Sequence, residues 1–137
     1  PPAEGAEWVA RARRNDPDRV FPVAPSSPSQ RLRTTTMACR GFVYAASTMG
    51  VTGARTTVDD TAQVLVTRTR LMTDTPICVG LGVSTGAQAA QVAAFADGVI
   101  VGSALVRCLT DVASRSDGLS AIRTLVAELA AGVRAGR

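Results

Sequence analysis

The sequence predicts an α/β fold built on a parallel sheet, and three observations carry the prediction. Short β-like runs alternate with helical patterns along the chain. The β runs are apolar throughout rather than alternating, as expected of strands covered by helices. Gly, Ser or Thr closes or directly follows each run, so small residues collect where the strands stop.

The elements follow in order. Pro1-Pro2 can start a helix, Ala6, Val9 and Ala10 fall on one of its faces, and "RRNDPD" stops it. "RVFPVAP" (19–25) reads as the first strand. Ser27-Pro28 opens a second helix with Leu32, Thr35, Thr36 and Cys39 spaced i, i+3, i+4, i+7. Its Thr triplet is β-branched and stiff, which weakens it as a helix. "GFVYAAS" (41–47) is the second strand, and the Gly-rich loop "TMGVTGAR" follows it. Asp59-Asp60 start a third helix on which Ala62, Leu65, Val66, Thr69 and Met72 keep a helical period. "PICVGLGV" (76–83) is the third strand, and Ser84 is read as the N-cap of "TGAQAAQVAAFA". "DGVIVGS" (97–103) is the fourth, with "ALVRCL" forming one or two helical turns after it. The last helix starts at Ser116 or Asp117 and turns Leu119, Ile122, Val126, Leu129 and Val133 inward.

Four such β/α units fit two architectures. One is a small doubly wound sheet. The other is half of a (β/α)8 barrel, which needs about 250 residues when complete, against 137 here.

Composition narrows the function. All fifteen positive charges are Arg, spread from Arg11 to Arg137, and the net charge is only +4. A nucleic-acid surface would cluster them and interleave aromatics, which make up 4% of this chain. Cys39, Cys78 and Cys108 have no CxxC spacing and there is no His, so a zinc site lacks ligands. Three small core hydrophobes in a reducing compartment fit them better. No apolar stretch approaches the ~20 residues of a membrane span. The first residues also lack the apolar core of a signal peptide, which points to the cytoplasm.

In any parallel α/β fold the ligand meets the C-terminal strand ends. Here these are Ala24-Pro25-Ser26-Ser27, then Ser47 through Gly53, then Gly80-Leu81-Gly82-Val83-Ser84, and Gly102-Ser103. None carries a charged side chain, and Asp97 stands at the opposite end of its strand. Glycines there let backbone N–H groups approach a ligand, and a helix starting at Ser103 would present free N–H groups to an anion. "GLG" and "VGS" suit the phosphate site that barrels build from the loops after strands seven and eight. A dinucleotide fingerprint is absent: the third Gly of G-x-G-x-x-G would fall on Thr85, and no acidic residue follows at ribose distance. The chain reads as a grip without an acid or base.

Taken together, "GFVYAASTMGVTGAR" (41–55), "VGLGVST" (79–85) and "ADGVIVGSALV" (96–106) closely resemble the α-subunit family of tryptophan synthases, in its actinobacterial style. The likeness runs over the whole chain but covers only the family's second half, barrel units five to eight, so residues 1–137 are expected to be part of one domain. The resemblance implies retro-aldol cleavage of indole-3-glycerol phosphate to indole and glyceraldehyde 3-phosphate. It implies no cofactor in this subunit, with pyridoxal phosphate in a β-subunit partner and an α2β2 assembly. By motif, Gly53, Gly82, Gly102 and Ser103 would bind the substrate phosphate. Tyr44, Leu81 and Pro22 would line the indole pocket, and Thr52 would help order a catalytic aspartate as its loop closes. The family's catalytic Glu and Asp belong to its first half, so none is expected here, with Tyr44 and Thr52 in support.

Two positions depart from the family pattern: Pro22, where an aliphatic residue is usual, and the Thr triplet. Proline is expected only on edge strands or bulges, which predicts a distorted first strand. Two rivals stay open, another phosphate-binding barrel and a non-catalytic doubly wound binding module. Alone, the half barrel would expose unpaired edges and self-associate or aggregate.

Overall fold

Burial alternates along the strands, and that alternation sets the layering. The structure, a computed structural model, describes residues 5–15, 17–47, 60–80 and 82–137. Its elements are α1 (Ala6–Asn15), β1 (Pro22–Val23), α2 (Ser29–Ala38), β2 (Val43–Ala46), α3 (Asp60–Arg70), β3 (Ile77–Gly80), α4 (Gly86–Ala93), β4 (Gly98–Val99), α5 (Ser103–Thr110) and α6 (Arg115–Ala135). Val23, Val43, Ala45, Ile77 and Val79 are buried with Leu32 of α2, Ala62, Leu65 and Val66 of α3, Ala89 and Val92 of α4, and Leu129 of α6. One face of the sheet therefore carries the helices. Burying a Val, Leu or Ile fully is worth about 1.5–3 kcal/mol, so this layer supplies most of the stabilisation. The intervening residues, Tyr44, Ala46 and Cys78, are only half-buried on the other face.

All strand pairs are parallel and the order is β1-β2-β3-β4. A doubly wound sheet reverses direction at a switch point; this one never does. Progression in one direction is how a barrel is built, so the order decides between the two architectures in favour of the half barrel.

The strands are shorter than the apolar runs predict. Only Pro22–Val23 of 19–25 and Gly98–Val99 of 97–103 pair as strand, and these are the two edges, each with one neighbour. Pro22 sits where proline is tolerated. Tyr44 N–H donates to Phe21 O, so the polar groups of Phe21 and Val23 turn toward β2. The ring nitrogen of Pro22 then turns to the open edge, where no ladder bond is lost within the chain.

Several sequence expectations need correction. Ser84 is not the N-cap of α4; Thr85 is, its hydroxyl accepting from Gln88 N–H. α6 starts one residue before the expected range, at Arg115, behind the Ser114 cap, which accepts from Asp117 N–H. Leu119 and Val126 do not face inward: they are 46% and 47% exposed, because α6 meets α4 along a narrower stripe through Leu125, Leu129 and Val133. Ala10 of α1 is exposed while Ala12 is buried, and Trp8 packs edge-on against Phe21 at 5.6 Å.

That stripe reaches backbone contact. A Cβ at Gly132 would strike the carbonyl of Gly86, and one at Gly136 would strike that of Ala90. Gly132 and Gly136 are four residues apart and share one face of the helix, so α6 lies directly on α4. The opposite end of the sheet is tied by Asp97. Its carboxylate accepts from Ile77 N–H at 2.8 Å and pairs with Arg70 at 3.2 Å, and its carbonyl accepts from Arg137 at 3.0 Å.

Candidate phosphate site at the strand ends

β3 and β4 bring the two glycine loops side by side. Val79 is level with Val99 in the ladder and Ile100 N–H donates to Val79 O at 2.8 Å. Gly80 makes the approach possible, since a Cβ there would lie 2.6 Å from both Cβ and O of Ile100. Gly82 has φ +84°, a left-handed backbone that side chains resist. Around Gly82 and Gly102 no atom of the described residues lies within 4 Å of an added Cβ.

The two adjacent helix N-termini are finished differently. At α4, Gly86 N–H donates to Glu128 Oε1 at 2.6 Å, Gln88 N–H to Thr85 Oγ1 at 3.3 Å, and Ser84 N–H to Gln88 Oε1 at 2.8 Å. At α5, Gly102 has no side chain to cap with. Its carbonyl accepts from Leu105 and Val106, as a helix start requires, while Ser103 and Ala104 N–H have no acceptor among the described residues. Ser103 is exposed and its hydroxyl is likewise unpartnered there. Orphan N–H groups at the positive end of a helix dipole suit an anion.

Pro22, Tyr44, Cys78 and Gly98 lie level across the sheet on its helix-free face. Pro22 and Tyr44, both assigned to the indole pocket by motif, are thus Cα partners in the ladder. Cys78 is the third member of this row, and sequence reasoning gave it no place there because its run lacks the alternation that would assign a face. Burial, then the nearby Asp97 charge, pushes its thiol pKa up. A cavity of about 310 Å³ opens beside β1, lined by Phe21, Pro22, Val23, Ala24, Ser26, Ser27, Arg31, Thr35 and Ala46. Ser47, just past β2, is 1% exposed with no partner for its hydroxyl among the described residues. Leu81, Thr52 and Gly53 lie outside the described residues. No group of three or more His, Cys, Asp or Glu among the described residues could hold a metal, and no helix there is long and apolar enough to cross a membrane.

Comparison with known proteins decides the family. The family model for the tryptophan synthase alpha chain matches residues 1–134. The chain belongs to the tryptophan synthase alpha chain family. A Salinispora arenicola tryptophan synthase alpha chain is 60% identical over 133 residues, 97% of this chain and 50% of the relative. A crystal structure of Mycobacterium tuberculosis tryptophan synthase matches with TM-score 0.82 and 55% identity, over 97% of this chain and 48% of that one. The tryptophan synthase α2β2 complex from Pyrococcus furiosus matches with TM-score 0.82 and 32% identity, over 95% and 52%. The chain thus spans about half the length of the tryptophan synthase alpha chains it matches, and its four β/α units are half of their (β/α)8 barrel.

Proposed function

We propose that this chain is the phosphate-holding half of a tryptophan synthase alpha chain, and that the whole protein cleaves indole-3-glycerol phosphate to indole and glyceraldehyde 3-phosphate. The observation that carries the reading is the uncapped N-terminus of α5 beside the open Gly82 loop. Ser103 and Ala104 N–H and the Ser103 hydroxyl hold the phosphate, with Gly82 and Gly102 leaving room for its oxygens. By its motif Gly53 belongs to the same phosphate site.

The indole ring lies on the helix-free face against Tyr44, flanked by Pro22 and Leu81. Retro-aldol cleavage needs a base to take the glycerol hydroxyl proton and an acid to deliver one to the departing indole carbon. No described strand end carries a carboxylate, so both groups come from the complementary half, with Thr52 ordering the aspartate. This half fixes the phosphate and holds the ring, converting binding into orientation. The Pyrococcus furiosus structure is described as an α2β2 complex, which supports a β-subunit partner; the family resemblance adds that this partner receives the indole and carries the pyridoxal phosphate. The three free cysteines fit a reducing cytoplasm.

Titration calorimetry with glycerol 3-phosphate tests the grip, and a folded chain that does not bind removes it. Indole release on mixing the chain with the N-terminal half of the Salinispora arenicola relative tests the reaction. Binding without release would leave the grip standing and remove the catalytic reading.

A further inference from the structure

We propose that Gln88 is a positioning residue for the phosphate loop: its carboxamide grips Ser84 and so fixes the backbone of Gly82, two residues earlier. The role rests on the phosphate site proposed above and lies outside that site's glycines. Ser84 N–H donates to Gln88 Oε1 at 2.8 Å, and the Ser84 hydroxyl donates to the same oxygen at 3.2 Å. An N–H can only donate, so the carboxamide meets it with its oxygen. Gln88 is the third residue of α4, where a side chain leans back toward the helix start. In a capping box that residue answers the N–H of the N-cap itself. Here it reaches one residue further, past the Thr85 cap and into the loop.

Gly82 needs holding from its neighbours. It has φ +84°, and no atom of the described residues lies within 4 Å of where its Cβ would be. Glycine also has more backbone freedom to lose than any other residue. On the strand side, Gly80 is fixed by its close approach to Ile100. On the helix side, Val83 is buried in the core and Ser84 is held twice by Gln88. Thr85 and Glu128 act further on: Thr85 Oγ1 accepts from Gln88 N–H and Glu128 Oε1 from Gly86 N–H, both donors belonging to α4. Those two bonds steady the helix; the Gln88 carboxamide steadies the loop. A loop fixed in advance meets the phosphate without paying an ordering entropy at binding.

The test is made in the full-length protein. Gln88→Met keeps the length of the side chain and loses its strong acceptor. It should speed hydrogen exchange at the Ser84 amide and raise KM for indole-3-glycerol phosphate about fivefold, with kcat within about twofold. Gln88→Glu, with an acceptor at the same reach, should return the exchange rate to that of the parent. Thr85→Ala removes the helix cap and leaves Ser84 gripped, so its KM should stay within about twofold of the parent. Faster exchange at Ser84 with unchanged KM, or equal rises in KM for Gln88→Met and Thr85→Ala, overturns the proposal. Unchanged exchange at Ser84 in Gln88→Met overturns it as well, since the grip is then absent. A parent protein that neither binds glycerol 3-phosphate nor turns over the ester removes the function proposed above, and this role with it. A parent that does both, matched by Gln88→Met, removes the role of Gln88 alone.

Discussion

The N-termini of α4 and α5 stand beside neighbouring strand ends, yet the chain treats them in opposite ways. At α4, Thr85, Gln88 and Glu128 take up the N–H groups of the first turn and of the residue before it. At α5 nothing among the described residues caps the turn. Both starts carry the same orphan donors and the same dipole. The difference lies in the residue at the cap, a Thr against a Gly, and in whether a carboxylate reaches in from α6. Glycine on a strand end thus says little alone; glycine where a helix begins and no side chain answers it marks where a ligand would.

The most damaging way to break the sealed end is through the contact beneath it. Gly132→Val drives a side chain into the Gly86 carbonyl, and a backbone cannot step aside. Overpacking of this kind costs about 3 kcal/mol, so the thermal midpoint should fall by roughly 10 °C. An unchanged midpoint would mean that α6 does not rest on α4 as described.

Removing the seal itself has a smaller effect. Glu128→Ala strands Gly86 N–H, at about 1–2 kcal/mol, and Thr85→Ala should cost about 1 kcal/mol, both read by chemical denaturation. Affinity for glycerol 3-phosphate should stay within about twofold of the parent, a change worth under ~0.5 kcal/mol. A large loss in either variant would move the phosphate from α5 to α4.

The open end should show the reverse pattern. Ser103 has no partner among the described residues, so Ser103→Ala should leave stability within about 0.5 kcal/mol of the parent. Losing one hydrogen bond to the phosphate, worth about 1 kcal/mol, should weaken glycerol 3-phosphate binding roughly fivefold. Loss of stability with unchanged binding would make Ser103 a structural residue and end the contrast.

How much of this was legible depended on how local the determinant is. The period of Leu32, Thr35 and Thr36, or of Ala62, Leu65, Val66 and Thr69, names buried faces that the structure shares, because a helix face is set within two turns. The Gly-Ser strand end was legible for the same reason. The glycine stripe on α6 was present as Gly132 and Gly136, but its meaning needs the partner helix, forty-odd residues away, so Leu119 and Val126 were assigned to the core instead. Glu128 gave no signal at all, being an exposed helix residue whose acceptor role exists only once α6 lies on α4. Strand ends were overestimated at β1 and β4, each of which has one paired neighbour among the described residues, so the apolar run continues past the last paired residue.

The smallest expected effect separates the buried rows from the open rim by pH. Burial raises the thiol pKa of Cys39 and of Cys78 above the ordinary 9.0, the Arg19 charge partly offsetting it at Cys39, and Asp97 adding to it at Cys78. The folded state therefore holds these protons where the unfolded chain has released them, and linkage favours folding by that difference only up to the unfolded value. Stability from this source is complete below pH 9.0 and is lost as the pH climbs through the raised folded values. Denaturation midpoints should decline above pH 9, and less steeply in Cys39→Ala with Cys78→Ala. Equal slopes in the parent and the double variant would mean that the thiols of the helix-free row and of α2's end are as open to water as the rim at the start of α5.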